Sequence, residues 1–142
     1  MSPFAFEVME RVHGHIAVLG LAVLLHPVIS LPKRKKNSRG MRWTLGLSAG
    51  IMTFAFVMGL WIYPDYRSLI KPELIADNMV MALLFESKEH LAFISVIAVC
   101  GGCALAWRST SPGSRKIAWV LLLCGWLIGV LVACLGIAVA SA

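Results

Sequence analysis

Two clusters of ionisable residues interrupt an otherwise apolar chain. One is Glu86-Ser87-Lys88-Glu89-His90, directly after Phe85 in the apolar run from Met79 to Trp107; the other is Glu7, Glu10, Arg11, His13 and His15 near the N-terminus. Carboxylates, imidazoles and ammonium groups exchange protons and hold metal ions. At membrane depth they are costly enough to mark a functional site by default. Glu10 and His13 have Glu-x-x-His spacing, and Glu86 stands four residues before His90, so each pair shares a helix face.

The elements that must position these clusters follow from composition. The chain has 142 residues, of which 59% are hydrophobic, and a mean hydropathy of +0.83, too apolar for a soluble domain. Its apolar runs approach or exceed the ~20 residues that cross ~30 Å of hydrocarbon. They predict helices over about 3–31, 43–63, 73–107 and 115–140, in one integral membrane domain spanning residues 1–142. The expected fold is all-α, a four-helix transmembrane bundle in up-down order. Lys33, Arg34, Lys35, Lys36, Arg39 and Arg42 of the first loop and Arg108, Arg115 and Lys116 of the third face no acid, whereas all seven acids lie on the other side. The positive-inside rule puts the basic side in the cytoplasm and both termini outside. The net charge of +6 is then a topology signal rather than a nucleic-acid surface. The Lys33–Lys36 run has a secondary attraction to anionic lipid heads. An acidic N-terminus without a small-residue cleavage site predicts a retained first helix.

Local signals refine the spans. Ser2-Pro3 reads as a helix N-cap followed by proline at the first helical position. Pro27 should bend or end the first helix and Pro32 stop it; Pro64 should close the second helix after Tyr63. Pro72-Glu73 reads as the first turn of a third helix continuing unbroken to Trp107, on the order of 50 Å long. Trp43, Trp61, Tyr63, Trp107 and Trp119 fall at the expected interfaces, as an aromatic belt requires. Gly46/Gly50, Gly125/Gly129 and the ridge Ala98/Gly102/Ala106 have the small-residue spacing of close helix packing. Cys100 and Cys103 have redox-motif spacing but sit in mid-helix; with Cys124 and Cys134 they read as small packing residues.

Depth ties the two clusters together. Counting from Leu31 and Trp107, His15 and His90 both lie about 25 Å above the inner edge, on helices diagonal across a bundle. Two imidazoles at equal height suit an iron with both axial positions filled. His13 and His15 are roughly 200° apart on the helix, and His15 shares a face with His26, eleven residues on, which favours His15 as the inward ligand. His26 would need a non-histidine partner, such as Met41 or Met52, for any second iron.

On these residues the chain resembles the small four-helix membrane cytochromes b of bacteria. The resemblance implies a haem b electron-transfer subunit in the bacterial cytoplasmic (inner) membrane, a redox subunit rather than an independent enzyme. It is expected to be quinone-linked and to meet other membrane or periplasmic redox subunits. His15 (or His13) and His90 would be the axial ligands, with Gly14 and Gly20 leaving room for the porphyrin edge. Glu86, Glu89 and Glu10 would serve ligand orientation or quinone protons. Two other readings stay open: a non-haem metal site built from Glu10, His13, Glu86 and His90, and a non-catalytic subunit of a larger membrane complex whose acidic and basic groups are a solvated rim, with Lys88 snorkelling outward.

Overall fold

A computed structural model describes residues 2–33 and 38–140. Among them are five helices and no strand: α1 (Pro3–Ser30), α2 (Arg39–Leu69), α3 (Lys71–Asp77), α4 (Met79–Arg108) and α5 (Pro112–Ala140). Four of these, all but α3, are long and apolar enough to cross a membrane. Contacts join α1 to α2, α2 to α4, α4 to α5 and α5 to α1, so that α1 lies diagonally from α4. Most of the basic run, residues 34–37, lies outside the described residues.

Helix α1 starts as its sequence requires, with the Ser2 hydroxyl accepting from Ala5 N at 3.3 Å. Pro27 lies inside the helix and is fully buried. The last carbonyls of α1 depend on α5. Residue 32, four after Val28, is proline and has no N–H to give; Trp119 Nε1 donates to Val28 O instead, at 2.9 Å. Arg115 Nη2 donates to Leu31 O at 3.2 Å, and Trp126 Nε1 to Leu21 O at 3.1 Å. Trp119 thus ties two helices together inside the bundle as well as marking its end.

Helices α2 and α5 start three or four residues earlier than expected, at Arg39 and Pro112, and two other boundaries differ further. Helix α2 runs through Pro64 to Leu69. A proline in a membrane helix forfeits one backbone bond, which neighbours can make good, and here the overrun is held by Tyr66, buried against Phe85 with ring centroids 3.7 Å apart. The long third helix is broken at Asn78, whose Oδ1 accepts from Val80 N at 3.1 Å and Met81 N at 3.3 Å. Asparagine is a preferred N-cap, and it starts α4 afresh after the short α3.

The bundle is solid in one half and hollow in the other. Leu24, Leu31, Met41, Leu45, Val99, Ala106, Ala118 and Leu122 form a core at the basic end. Here α4 and α5 pack at backbone distance: a Cβ on Gly125 would lie 2.8 Å from Val99 Cγ2 and 3.1 Å from Ser95 O, and one on Gly102 2.9 Å from Leu122 Cγ. Ser95 Oγ, buried, donates to Gly125 O at 2.7 Å. At the opposite end Phe6, Ile62, Tyr66 and Phe85 form a smaller apolar cluster. The hollow lies between the two.

Candidate functional site

The hollow is a cavity of about 830 Å³ walled by α1, α2, α4 and α5, inside the ~300–1,000 Å³ range of small-molecule and cofactor sites. Leu21, Met52 and Gly129 floor it, continuing the core beneath. Ala55, Phe56 and Gly59 of α2, Ala92 and Val96 of α4, and Val132, Ala133 and Gly136 of α5 make apolar walls. Glu7, Glu10, Arg11, His13, His15, Lys88 and Glu89 line the end next to the aromatic cluster. One end is therefore ionisable and the other apolar. Phe6 and Phe85 lie beside this end, where Glu7, Glu10, Arg11 and His15 are exposed and His13, Lys88 and Glu89 are partly buried.

The polar groups differ in how they are held. His13 is half-buried against Gly59, where a Cβ would come within 3.1 Å of its Cε1. Its Nδ1 is buried with no hydrogen-bond partner among the described residues. Lys88 Nζ lies 4.3 Å from the Phe85 ring centroid and 3.8 Å from Glu89 Oε1, and the Lys88 side chain is 19% exposed. Its stem passes Gly136 of α5, where a Cβ would meet Lys88 Cδ at 3.8 Å. Its ammonium points back along α4 to the Phe85 face at the aromatic end of the bundle, a cation–π contact. Glu7 and Arg11 pair at 2.6 Å on the exposed face.

His15 lines the cavity edge but is exposed, its Nδ1 2.7 Å from Arg11 O. His90 is exposed, lies outside the cavity lining, and its Nδ1 sits 2.8 Å from Glu86 O. A carbonyl only accepts, so both Nδ1 atoms donate and both Nε2 atoms carry the lone pair. Glu86 pairs with Lys71 of α3, also outside the lining. His26 does share the His15 face, and that face is the exposed one. Met41 is core, and Gly20 is closed by Met52 Sδ, 2.8 Å from where its Cβ would be, leaving no room for a porphyrin edge. Gly14, by contrast, borders the cavity, and a Cβ added there would have nothing within 4 Å. Equal depth thus does not place His15 and His90 on one cavity wall: of the two, His15 lines the cavity. Nor do Glu10, His13, Glu86 and His90 converge: among the described residues no group of three histidine, cysteine or acidic side chains could hold a metal ion.

No protein family, curated protein or solved structure matches the chain. Function rests on the site itself.

The site contains residues that sequence reading passed over: Lys88 as an inward group, Ser95, Ala133 and Gly136. A signal for them exists. Counting back from Gly102 along α4 in steps of three and four gives Val99, Ser95, Ala92, Lys88 and Phe85, the stripe that faces inward, and it omits His90. The same count on α1 from Leu24 gives Leu21, Ala17, His13, Glu10 and Phe6, and omits His15 as a central residue.

Proposed function

We propose that this protein is a membrane-embedded redox subunit that binds a lipid-soluble carrier of the quinone class in its cavity, and that the electrons come from a partner subunit. The observation that supports this most is the cavity's division into an apolar well and an ionisable end. A quinone has the same division, with a polar ring and a hydrocarbon tail. The ionisable end carries Glu7, Glu10 and Glu89 against Arg11 and Lys88, together with two histidines. That near balance of acids and bases suits a neutral head better than a charged phospholipid head, and supplies both donors and acceptors.

The chain's own groups then have defined roles. Lys88 Nζ and His13 donate hydrogen bonds to the ring oxygens. Glu89 and Glu10 take protons from, or return them to, those oxygens, one proton accompanying each electron exchanged with the partner. Small residues on α5 let the ring lie flat against the helix. The subunit lies in a cytoplasmic-type membrane in up-down order with the basic end inside and both termini outside, a placement supported by the charge asymmetry.

A second reading, haem b, is favoured by one observation: Nε2 of His15 is free at the cavity edge while its Nδ1 is anchored on Arg11 O, the arrangement usual for ligating imidazoles. It lacks the second imidazole, so no step is assigned to it. The test for both uses Gly14→Leu, which adds a bulky side chain at the cavity lining, where a Cβ would have nothing within 4 Å. The purified protein is titrated with a short-tail quinone and its reduced and oxidised visible spectra are recorded. Saturable quinone binding, weakened at least tenfold in Gly14→Leu, is the expected result. Equal binding by the variant defeats the quinone reading, and a low-spin haem band lost in His15→Ala replaces it with haem.

A further inference from the structure

The cavity has an open side. No lining residue contributed by α2 or α4 is exposed; the exposed ones all belong to α1, apart from Ile137 of α5. On α1 they follow a pattern. Glu7, Arg11, Gly14, Val18, Leu21 and Val28 recur at helical spacing and share a face. In the lower part of that face α1 is fastened to α5. A Cβ on Gly129 would lie 2.7 Å from Leu21 Cδ2, Trp126 Nε1 donates to Leu21 O, and Trp119 Nε1 donates to Val28 O. Above Leu21 the same face is exposed, and a Cβ on Gly14 would have nothing within 4 Å. At the far end Val139 of α5 packs on the aromatic cluster that holds Phe6 of α1. Helices α1 and α5 thus meet at both ends of the cavity and part between them, over a rise of about 16 Å from Val18 to Glu7.

We propose that this seam is a lateral portal, through which the quinone-class carrier enters from the bilayer and through which its hydrocarbon tail stays in the lipid; the proposal rests on the quinone reading of the cavity. The seam lies within the stretches of α1 and α5 that are long and apolar enough to cross a membrane, so it opens onto hydrocarbon. Its large apolar rims are Val18, 58% exposed, and Ile137, 70% exposed. Both also line the cavity, so the well and the lipid-facing surface share one apolar wall. Glu7 and Arg11 stand higher on the same face of α1, at the ionisable end. A ring lodged at that end therefore has its tail directed down the seam past Val18. The well need not hold the tail, and its volume of about 830 Å³ sets no limit on tail length.

The test is native mass spectrometry of the full chain in detergent, titrated separately with a polyisoprenoid quinone and with the tail-less ring. Wild type should retain both. Val18→Phe/Ile137→Phe narrows the seam and should weaken retention of the long-tail form by roughly tenfold or more, as overpacking a filled space does, while retaining the tail-less ring as wild type does. Leu127→Phe/Leu131→Phe, on an exposed face of α5 outside the lining, should retain both forms. Unchanged retention of the long-tail form by the seam variant, or equal loss of both forms, overturns the portal and leaves the quinone reading standing. Wild type that retains neither form overturns both. A stable dimer that the seam variant dissolves gives the seam to a second copy of the chain and likewise overturns the portal. Should the seam variant fail to fold by circular dichroism, Val18→Phe alone takes its place: a several-fold loss of the long-tail form is expected, and unchanged retention overturns the proposal.

Discussion

Replacing Trp119 with phenylalanine tests how the bundle is tied together. Phenylalanine keeps most of the ring volume and removes the indole N–H, so Val28 O loses the 2.9 Å bond from Trp119 Nε1. Because Pro32 has no N–H, that carbonyl has no in-helix donor to return to, and a half-buried carbonyl left without a partner costs about 1–3 kcal/mol. Trp126→Phe is the internal control. Leu21 O, which accepts from Trp126 Nε1 at 3.1 Å, lies in mid-helix and keeps its bond from residue 25, so only a second lone pair is vacated. That loss should be about 0.5–1 kcal/mol. The assay is unfolding in a mixed-micelle SDS titration followed by far-UV circular dichroism. Pro32→Ala, which restores an N–H four residues after Val28, should recover much of the loss in the Trp119→Phe background and do little in wild type. Equal destabilisation by the two tryptophan variants, or no rescue by Pro32→Ala, would refute the assignment of Trp119 as the surrogate donor.

Other substitutions probe separate links. Gly125→Ala places a Cβ 2.8 Å from Val99 Cγ2 and 3.1 Å from backbone atoms of α4, and should destabilise by about 1–3 kcal/mol through overpacking. Gly50→Ala meets nothing within 4 Å and should be neutral or stabilising by up to about 1 kcal/mol in the same titration. Ser95→Ala removes the buried bond to Gly125 O; interhelical bonds in membranes average about 0.6 kcal/mol, and a loss of that order is expected. Asn78→Ala removes the cap of α4, costing about 1 kcal/mol and raising hydrogen exchange at Val80 and Met81 while leaving the Ser95 region protected. Lys88→Met should leave stability nearly unchanged, because an apolar isostere replaces a largely buried charge, yet weaken quinone binding; wild-type binding would remove Lys88 from the site.

The apolar runs made the four long helices legible, and Ser2-Pro3 located the start of α1 to the residue. The small-residue pairs were readable too: Gly102 and Gly125 sit at the close α4–α5 contact, although Gly50 faces open space. Heights along the bundle follow from counting residues at a fixed rise. Directions do not. A helix that is apolar on all sides gives no periodic signal of which side faces its neighbours, so His15 and His90 could be placed at one depth but not on one face. The inward positions belong to His13 and Lys88, and the stripes counted from Leu24 on α1 and Gly102 on α4 point to them. The α2 overrun was illegible for a different reason: Pro64 ends a helix by local preference, and the contact that carries the helix past it, Tyr66 on Phe85, joins residues far apart in sequence.

The most direct measurement is photolabelling of the full chain in native membranes with an azido-quinone, with the labelled peptides mapped by mass spectrometry. Labels on the His13–Ala17, Lys88–Ala92 and Val132–Gly136 segments, abolished by excess unlabelled quinone and by Gly14→Leu, are the predicted result. Labels spread over exposed positions such as Leu47, Ile97 and Leu127, and not removed by competition, would contradict a quinone site inside the bundle.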